Sequence, residues 1–463
     1  MKQLIRESCA KNVQNSTMGK VLSPNLSLLV VSYYFPPNSE VGGRRVARFC
    51  EYLPNHGIDP TVLTIDEASC GSIDLSFRPS EKLPIVRVRP SKTILDWYHK
   101  QLSTPEGADA VLPESRTKKP GSGGMSLKRH VRFLFEIPDY CRGWYRPAVK
   151  RASKIVLDSG IDAVFSSGPP STTHAVAYAI SRRYHLPWVA DFRDVWAADP
   201  WRRYALNSGI PKWRDWIDLR IETKWTRHAA LITCTTRQQR DFLLRIHPHL
   251  DADRVAVVSN GVDSFTPTIS TANGTKNGPR VLLNAGSLYG GRKIDAFCNA
   301  TSFLVEQNRI SSRDVRIIFI GEVDPIIKSA AIQSAPELFE NGMISFQPRT
   351  DWAKLQEMLW RADVLLLFQG DHRTAVPAKF FEYLKTGKPM LALAGDGALS
   401  DIVRDTASGL VAAPDNSTEI ASAILHVLDA KPRTNKEAEE ITKKFDFRNL
   451  TAELAANIHR VLT

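Results

Sequence analysis

Short apolar runs alternate with amphipathic stretches along the chain from residue 26 onwards. The run LSLLVVSYYF predicts a buried strand, GGRRVARFCEYLPNHG has the apolar spacing of a helix that ends at Gly57, and PTVLTI predicts the next strand. Further apolar runs in this half are IDAVFSSG, PWVADF and ALITCTT, separated by helical patterns in THAVAYAISRRYH and at residues 210–229. Such alternation is typical of a parallel sheet with helices on both faces.

A second alternating series begins at residue 280, after a Ser/Thr/Asn/Gly-rich tract at 266–279 that predicts an interdomain linker. Its apolar runs are RVLLNAGS, VRIIFIGE, ADVLLLFQ and PMLALAG. The pattern therefore predicts an α/β protein with two facing, doubly wound, Rossmann-like domains. The predicted segments are a flexible extension (1–25), a first domain (26–265) with an insertion at about 90–150, the linker, a second domain (280–445) and a final helix (446–463) packing back on the first domain.

Length and charge add two constraints. A chain of 463 residues exceeds the roughly 250 to 300 residues at which single cores stop growing, which also favours two domains. The formal charge of +12 and a pI near 9.4 favour contact with polyanions, such as nucleic acid, an anionic membrane surface or phosphorylated small molecules. Charge alone does not choose among these partners.

Several classes of protein are disfavoured. The cysteines form no C-x-x-C pair and are far apart, so neither a zinc site nor a disulfide framework is indicated. The apolar runs are shorter than the ~20 residues that span a bilayer, and the N-terminus lacks the apolar core of a signal peptide. We therefore expect a cytoplasmic protein with reduced thiols at Cys9, Cys50, Cys70, Cys141, Cys234 and Cys298.

Two glycine-rich strand exits are candidate ligand loops. In YYFPPNSEVGGRR, Gly42 and Gly43 permit close backbone approach where the next helix begins, and helix N-terminal amides favour anions. A plain tight turn is the alternative. In AGSLYGGRK, the cations Arg292 and Lys293 precede a predicted helix, where positive charge is ordinarily unfavourable. A bound diphosphate would resolve that conflict, and two solvated cations are the alternative.

A third candidate is the predicted helix in VPAKFFEYLKTGKPMLALAG, which opens near Pro377 and ends at Gly387. Glu382 lies about a turn and a half inside this helix. Its carboxylate could face the interdomain cleft and accept hydrogen bonds from a ribose diol, as acidic residues do in nucleotide-binding folds. A solvated glutamate on an amphipathic helix is the alternative.

Polar residues at two strand exits of the first domain are further candidates. His174 follows a strand in SSGPPSTTHAVA and could contact a sugar or phosphate in the cleft, although a packed histidine is the alternative. Asp191, Arg193 and Asp194 end another strand in DFRDVW. They could bind the acceptor or form a salt-bridge cluster that fixes the loop.

These segments together resemble the bacterial family 4 glycosyltransferases of the GT-B fold, from about residue 26 to the end. The resemblance rests on SYYFPPNSEVGGRRV, SSGPPSTTHAVA, WVADFRDVWAADP, VSNGVD, AGSLYGGR and VPAKFFEYLKTGKP, in that family's order. It implies a retaining enzyme that moves a hexosyl group from a nucleotide diphosphate sugar to a lipid-linked or polysaccharide acceptor. The implied pathway is biosynthesis of cell-surface polysaccharide, exopolysaccharide or lipopolysaccharide, without a metal or other cofactor.

The resemblance also assigns site residues. The second domain would bind the donor, and the first domain would bind the acceptor through Asp191, Arg193 and Asp194. Glu382 matches the second glutamate of the family's E-x7-E signature, but the first is replaced by Thr374, so backbone amides of Thr374, Ala375 and Val376 are expected to contact the donor sugar. The other predicted donor residues are Gly42, Gly43, Gly286, Arg292, Lys293 and Lys379, and the predicted catalytic residues are His174, Arg292 and Lys293.

Two other functions remain open from the sequence: a sugar-nucleotide 2-epimerase of the same fold, and a basic nucleic-acid-binding protein. No nucleic-acid motif is visible, so nucleic acid is not an expected partner. The segment SLKRHVRFLFEIPDYCRGWYRPAVKR (126–151) mixes cations with aromatic residues. It predicts peripheral attachment to the anionic cytoplasmic face of the inner membrane, and packing of its aromatic rings in the first domain is the alternative.

Overall fold

The computed structural model describes residues 25–75, 77–93, 133–198, 212–263, 278–370 and 372–462. These residues form two parallel sheets, one of seven strands and one of six. The predicted α/β class with two doubly wound domains is confirmed. The extension up to residue 24, residues 94–132 of the insertion and residues 264–277 of the linker lie outside the described part, so predictions about them are not addressed by the fold.

The first sheet has the order β3-β2-β1-β4-β5-β6-β7. Its strands are β1 (Leu26–Val31), β2 (Ile58–Ile65), β3 (Ile85–Val88), β4 (Ala163–Gly168), β5 (Trp188–Phe192), β6 (Leu231–Cys234) and β7 (Val255–Val257). Its helices are α1 (Val41–Tyr52), α2 (Tyr145–Ser159), α3 (Thr172–Tyr184), α4 (Lys212–His228) and α5 (Arg237–Ile246). Leu29 and Val31 pack in one core cluster, and Leu28 and Val30 in another. β1 is therefore buried on both faces, which explains its unbroken apolar run.

The second sheet has the order β10-β9-β8-β11-β12-β13. Its strands are β8 (Arg280–Ala285), β9 (Val315–Ile320), β10 (Ile344–Gln347), β11 (Val364–Phe368), β12 (Met390–Leu393) and β13 (Gly409–Ala412). Its helices are α6 (Asp295–Glu306), α7 (Pro325–Ser334), α8 (Pro336–Glu340), α9 (Trp352–Arg361), α10 (Ala378–Thr386), α11 (Ala398–Asp405), α12 (Ser417–Asp429) and α13 (Asn435–Thr442).

The last helix, α14 (Phe447–Leu462), packs on the first domain although it follows the second in sequence. Leu450 and Leu454 of this helix belong to the core cluster that contains Leu28. The Phe447 ring meets Phe49 of α1 edge to face, with centroids 6.0 Å apart. The chain therefore crosses between the domains a second time. Across the described ranges, every helix is too short or too polar to cross a bilayer.

Each sheet has one point where the strand order reverses. In the first sheet β1 lies between β2 and β4, and in the second β8 lies between β9 and β11. Ligands of doubly wound folds bind beyond the carboxyl ends of the strands at such reversals. The loops after β1, β4, β8 and β11 are therefore the places to look for a site.

Candidate functional site

Gly286, in the loop after β8, lies next to Lys379, which follows the loop after β11. Gly286 has a φ of +113°, and a Cβ at this position would lie 3.8 Å from the Lys379 ammonium nitrogen. Lys379 is in the first turn of α10, whose N-terminal amides add positive potential. The positive φ favours glycine, and the absent side chain leaves the space beside Lys379 open.

The Lys379 ammonium is buried and has no hydrogen-bond partner within the described chain. Burial, with a further contribution from the nearby Arg292, lowers the pKa of Lys379 to about 7. Buried ammonium groups are normally paired, because the loss of hydration is costly without compensation. An orphaned amine beside a second cation therefore indicates a place for an anion.

Arg292 is held in the loop after β8. Its guanidinium lies 4.6 Å from the centroid of the Tyr289 ring and donates to the Ser287 carbonyl oxygen at 3.2 Å. Lys293, the next residue, is exposed. Since α6 begins only at Asp295, both cations precede the helix. The structure brings Arg292 close to Lys379, and it leaves Lys293 outside this pair.

Glu382 lies half-buried on α10 near the first domain. Burial raises the pKa of the Glu382 carboxyl, and Arg44 of α1 opposes this rise across the domain boundary. Arg44 also binds Asp263 at 3.1 Å and lies 5.1 Å from the centroid of the Trp352 ring on the second domain. Among the described residues, Glu382 accepts no hydrogen bond, so its oxygens are available to a ligand in the cleft.

The loop that carries Thr374 in place of the first signature glutamate is held by hydrogen bonds to its carbonyl groups. The Thr374 carbonyl accepts from Thr236 Oγ1 of the first domain at 2.5 Å, and the Ala375 carbonyl accepts from Gln369 Nε2 at 3.0 Å. The Val376 side chain is buried in the second domain. The backbone N–H groups of these three residues donate to no other residue in the described ranges, which leaves them available to a ligand.

The two glycines after β1 allow close packing inside the first domain. A Cβ on Gly42 would lie 1.3 Å from Arg193 Nη1, and a Cβ on Gly43 would lie 3.0 Å from the Tyr34 carbonyl oxygen. Arg193 in turn donates to the Gly168 carbonyl at 3.3 Å and to the Pro169 carbonyl. The structure therefore brings Gly42 and Arg193 together at the ends of β1, β4 and β5.

Asp194 of the first domain affects a residue of the second domain through its charge. It is exposed, and its charge counteracts the fall that burial produces in the pKa of His372, a residue of the second domain. Arg292 acts on the same imidazole in the opposite sense. Asp194 of the first domain and Arg292 of the second are therefore both near enough to the His372 imidazole to affect its pKa.

Two protein-family models match the chain: the glycosyl transferase 4-like domain matches residues 42–261, and the glycosyl transferases group 1 domain matches residues 279–430. The chain is a family 4-like glycosyltransferase. No curated protein sequence matches it significantly.

Solved structures share the fold of this glycosyltransferase. A glycosyltransferase from Rickettsia africae ESF-5 gives a TM-score of 0.60 at 13% identity, with 95% of this chain and 99% of that chain covered. Anabaena HepE in complex with UDP and glucose gives 0.61 at 13% identity, covering 94% and 100%. The lipopolysaccharide outer core galactosyltransferase WaaB gives 0.58 at 10% identity, covering 94% and 99%. At such identities the likeness shows the GT-B fold alone.

Asp191 was predicted to contact the acceptor, but in this glycosyltransferase its side chain points into the first domain. It is fully buried in β5 and accepts four hydrogen bonds. The donors are Arg45 Nε (3.4 Å), Arg45 Nη2 (3.2 Å), Ser167 Oγ (2.7 Å) and Thr233 Oγ1 (2.7 Å). Burial alone raises the pKa of Asp191, but the Arg45 guanidinium and the two hydroxyls outweigh it and hold the pKa low. Asp191 ties α1 to the sheet and does not line the cleft.

His174, predicted to be catalytic, is also turned inward. Its ring is 2% exposed and stacks on Phe192, with centroids 4.5 Å apart. Its Nδ1 lies 2.9 Å from Ser166 Oγ, and a Cβ on Gly168 would lie 2.6 Å from its Nε2. Burial lowers the pKa of His174 to about 3. This neutral imidazole packs beneath Gly168, at the end of β4, and is buried away from the cleft.

Sequence reasoning missed three residues of this region: Arg44, Arg45 and His372. The signal for the two arginines was their position directly after Gly42 and Gly43, at the start of α1. Nothing in the sequence around His372 distinguishes it. Within the described ranges, no cluster of three or more His, Cys, Asp or Glu side chains could hold a metal ion.

Proposed function

We propose that this glycosyltransferase moves a hexosyl group from a nucleotide diphosphate sugar to a lipid-linked or polysaccharide acceptor during assembly of cell-surface polysaccharide. The observation that carries the donor class is the buried, unpartnered Lys379 ammonium beside Arg292. A diphosphate supplies the two negative charges that this pair lacks. That HepE of the same fold is bound to UDP and glucose supports the same class of donor.

The proposed chemistry depends on stabilising the departing nucleoside diphosphate. Arg292, Lys379 and the N-terminal amides of α10 lie close together, and they would stabilise the negative charge that develops on the diphosphate as the glycosidic bond breaks. These fixed positive groups support a reaction without a bound metal. Retention of the anomeric configuration is proposed from the family resemblance alone.

Glu382 is proposed to accept hydrogen bonds from the ribose hydroxyls, and its replacement tests the donor assignment. Glu382→Gln keeps the shape but removes the charge, so UDP should bind about tenfold more weakly, because hydrogen bonds to charged groups contribute ~1.5 to 3 kcal/mol. Isothermal titration with UDP measures this, with exposed Glu440→Gln as the matched control.

A panel of nucleotides and nucleotide sugars tests the function directly. At 100 times its dissociation constant, a bound donor should raise the free energy of unfolding of the wild type by about 2.7 kcal/mol, with and without a chelator. The proposal fails if no nucleotide diphosphate raises the melting temperature. Equal UDP affinity in wild type and Glu382→Gln would contradict the ribose assignment alone.

We also propose that the enzyme works at the cytoplasmic face of the inner membrane, bound peripherally through the segment 126–151, of which the structure describes residues 133–151. In this segment Trp144 is fully buried and its Nε1 donates to the Val88 carbonyl, so this ring packs in the core. The exposed side chains are Leu134, Tyr140, Arg142, Tyr145, Arg146, Lys150 and Arg151. Lys128, Arg129 and Arg132, which belong to the same sequence segment, lie outside the described residues.

Vesicle flotation tests the membrane proposal. Wild-type protein should float with anionic vesicles and not with neutral ones, and added salt should weaken binding. Replacing Arg146, Lys150 and Arg151 with glutamine should remove most of it, because each basic residue near an anionic surface contributes about 1 kcal/mol. The matched control replaces exposed Arg309, Arg313 and Lys436. Equal flotation of both triple variants would contradict the assigned surface.

A further inference from the structure

Two tyrosines from distant parts of the chain meet beyond the carboxyl end of β1 in the first domain. Tyr34 follows β1, and Tyr140 opens the 3-10 helix Tyr140–Trp144. Their hydroxyl groups are hydrogen-bonded to each other. We call this pair the tyrosine platform. Tyr34 is half-buried, whereas Tyr140 is 60% exposed, so the ring of Tyr140 is the accessible part.

The exposed ring of Tyr140 stands on a rigid support. The preceding Asp139 accepts from the Cys141 N–H at 2.8 Å and from Thr172 N and Oγ1 at 2.7 and 2.6 Å, which ties the 3-10 helix to the start of α3. On the other side, buried Trp144 meets Tyr33 edge to face at 5.4 Å. A side chain held in place before a ligand arrives loses less conformational freedom on binding.

The platform adjoins the loops that form the first domain's side of the cleft. The Gly43 N–H donates to the Glu40 carbonyl at 2.9 Å, and Gly43 packs directly on the Tyr34 carbonyl. Gly42, one residue earlier, packs on Arg193. The platform, this turn and Arg193 therefore lie together where the strand order reverses between β1 and β4.

Glu40 adds an acidic group beside the two rings. Its side chain is exposed, and it precedes the first turn of α1. Its carbonyl accepts from the Gly43 N–H, and Gly43 packs on the Tyr34 carbonyl, so Glu40 lies beside the platform. Burial raises the pKa of both tyrosine hydroxyls, and the negative charge of Glu40 adds to the rise. An accessible aromatic face, two hydroxyls and a carboxylate are thus gathered on one small surface.

This combination fits a neutral sugar ring better than a lipid chain. One face of a hexopyranose presents C–H groups, which pack on an aromatic ring, while its hydroxyls donate well to a carboxylate. A lipid chain would offer the Glu40 carboxylate no hydrogen-bond donor. We propose that the tyrosine platform and Glu40 form the subsite for a neutral sugar ring of the acceptor. This assignment rests on the proposed function and names the part of the acceptor that the first domain binds.

Saturation-transfer NMR tests the subsite. The probes are methyl glycosides of glucose, galactose, mannose and N-acetylglucosamine, presented to the protein with UDP in excess. At least one glycoside should receive saturation at its ring C–H protons. Its dissociation constant should rise about tenfold in Tyr140→Ala and in Glu40→Gln, and stay within about twofold in Tyr140→Phe, which keeps the ring face. Phe303→Ala is the matched control, because Phe303 is 52% exposed on the second domain.

UDP binding by the same variants separates the two proposals. All four should keep the wild-type rise in melting temperature with UDP, which also shows that each is folded. Glycoside binding that is absent in the wild type, or unchanged in Tyr140→Ala, overturns the subsite while the donor assignment stands. A loss in Tyr140→Phe as large as in Tyr140→Ala overturns the role of the ring face. Absence of UDP binding in the wild type counts against the proposed function itself.

Discussion

Lys379→Met should lower kcat/KM at least a hundredfold without lowering the stability of the ligand-free protein. The substitution keeps the length of the side chain and removes the buried charge. Removing one preorganised donor to a developing negative charge typically costs about 10² to 10³ in rate. The ligand-free protein loses only an ammonium that has no partner, so its free energy of unfolding should stay the same or rise.

Steady-state kinetics and thermal unfolding of the same preparation check this result. Lys354→Met is the control, because Lys354 is exposed on α9 of the same domain. Near wild-type kcat/KM in Lys379→Met would show that Lys379 does not contact the donor. A large fall in melting temperature would show instead that the ammonium has a structural partner.

The same lysine predicts a pH dependence. Its pKa in the folded protein is about 7, below the ordinary value of 10.5. Between these pH values the unfolded chain binds the additional proton, so this group lowers stability progressively as the pH falls from 10.5 towards 7. A diphosphate binds the protonated form. UDP-glucose binding by the wild type should therefore take up a proton above pH 7 and weaken as the pH rises, whereas binding by Lys379→Met should not show this dependence.

Asp191→Ala should lower the free energy of unfolding by about 3 to 5 kcal/mol, because it leaves the Arg45 guanidinium buried without its counter-charge. The lowered pKa of Asp191 gives the pH window: its stabilisation is present above the unfolded pKa of 3.8 and is lost as the pH falls through the folded value. Denaturant unfolding at neutral pH measures the effect.

Two variants control this experiment. Asp194→Ala removes a carboxylate from the same loop region, but that side chain is exposed, so stability should change by less than about 0.5 kcal/mol. Arg45→Met combined with Asp191→Ala should recover part of the loss, since apolar replacement of a whole buried pair is often neutral. If Asp191→Ala cost no more than Asp194→Ala, the carboxylate would not hold the first domain together.

The central strands were predictable because burial on both faces leaves an unbroken apolar run. β3, β10 and β13 were missed for the converse reason: they are four-residue edge strands with mostly half-exposed side chains. Their pairing depends on a neighbouring strand and hardly on their own sequence.

The site was predictable in part, for a similar reason. Strand exits marked by glycine identified the loops that hold Gly42, Gly286 and Arg292, and these loops follow the strands at the two strand-order reversals. That they bind a ligand stays a prediction. The inward direction of Asp191 depends on register, because it pairs with Ser167 of β4 on one side and Thr233 of β6 on the other. The three polar residues form a hydrogen-bonded row across three strands, and the sequence of any one strand does not show that its polar residue belongs to this row.

The second crossing of the chain between the domains restricts how the cleft can open. The two crossings touch: the Val262 N–H donates to the Phe445 carbonyl at 2.9 Å, and the Phe447 N–H donates to the Val262 carbonyl at 3.2 Å. Two strands fastened side by side bend together but resist twisting and shear. We therefore expect the domains to rotate most easily about an axis through Val262 and Asp446, so that donor and acceptor would enter and leave the cleft by this one motion.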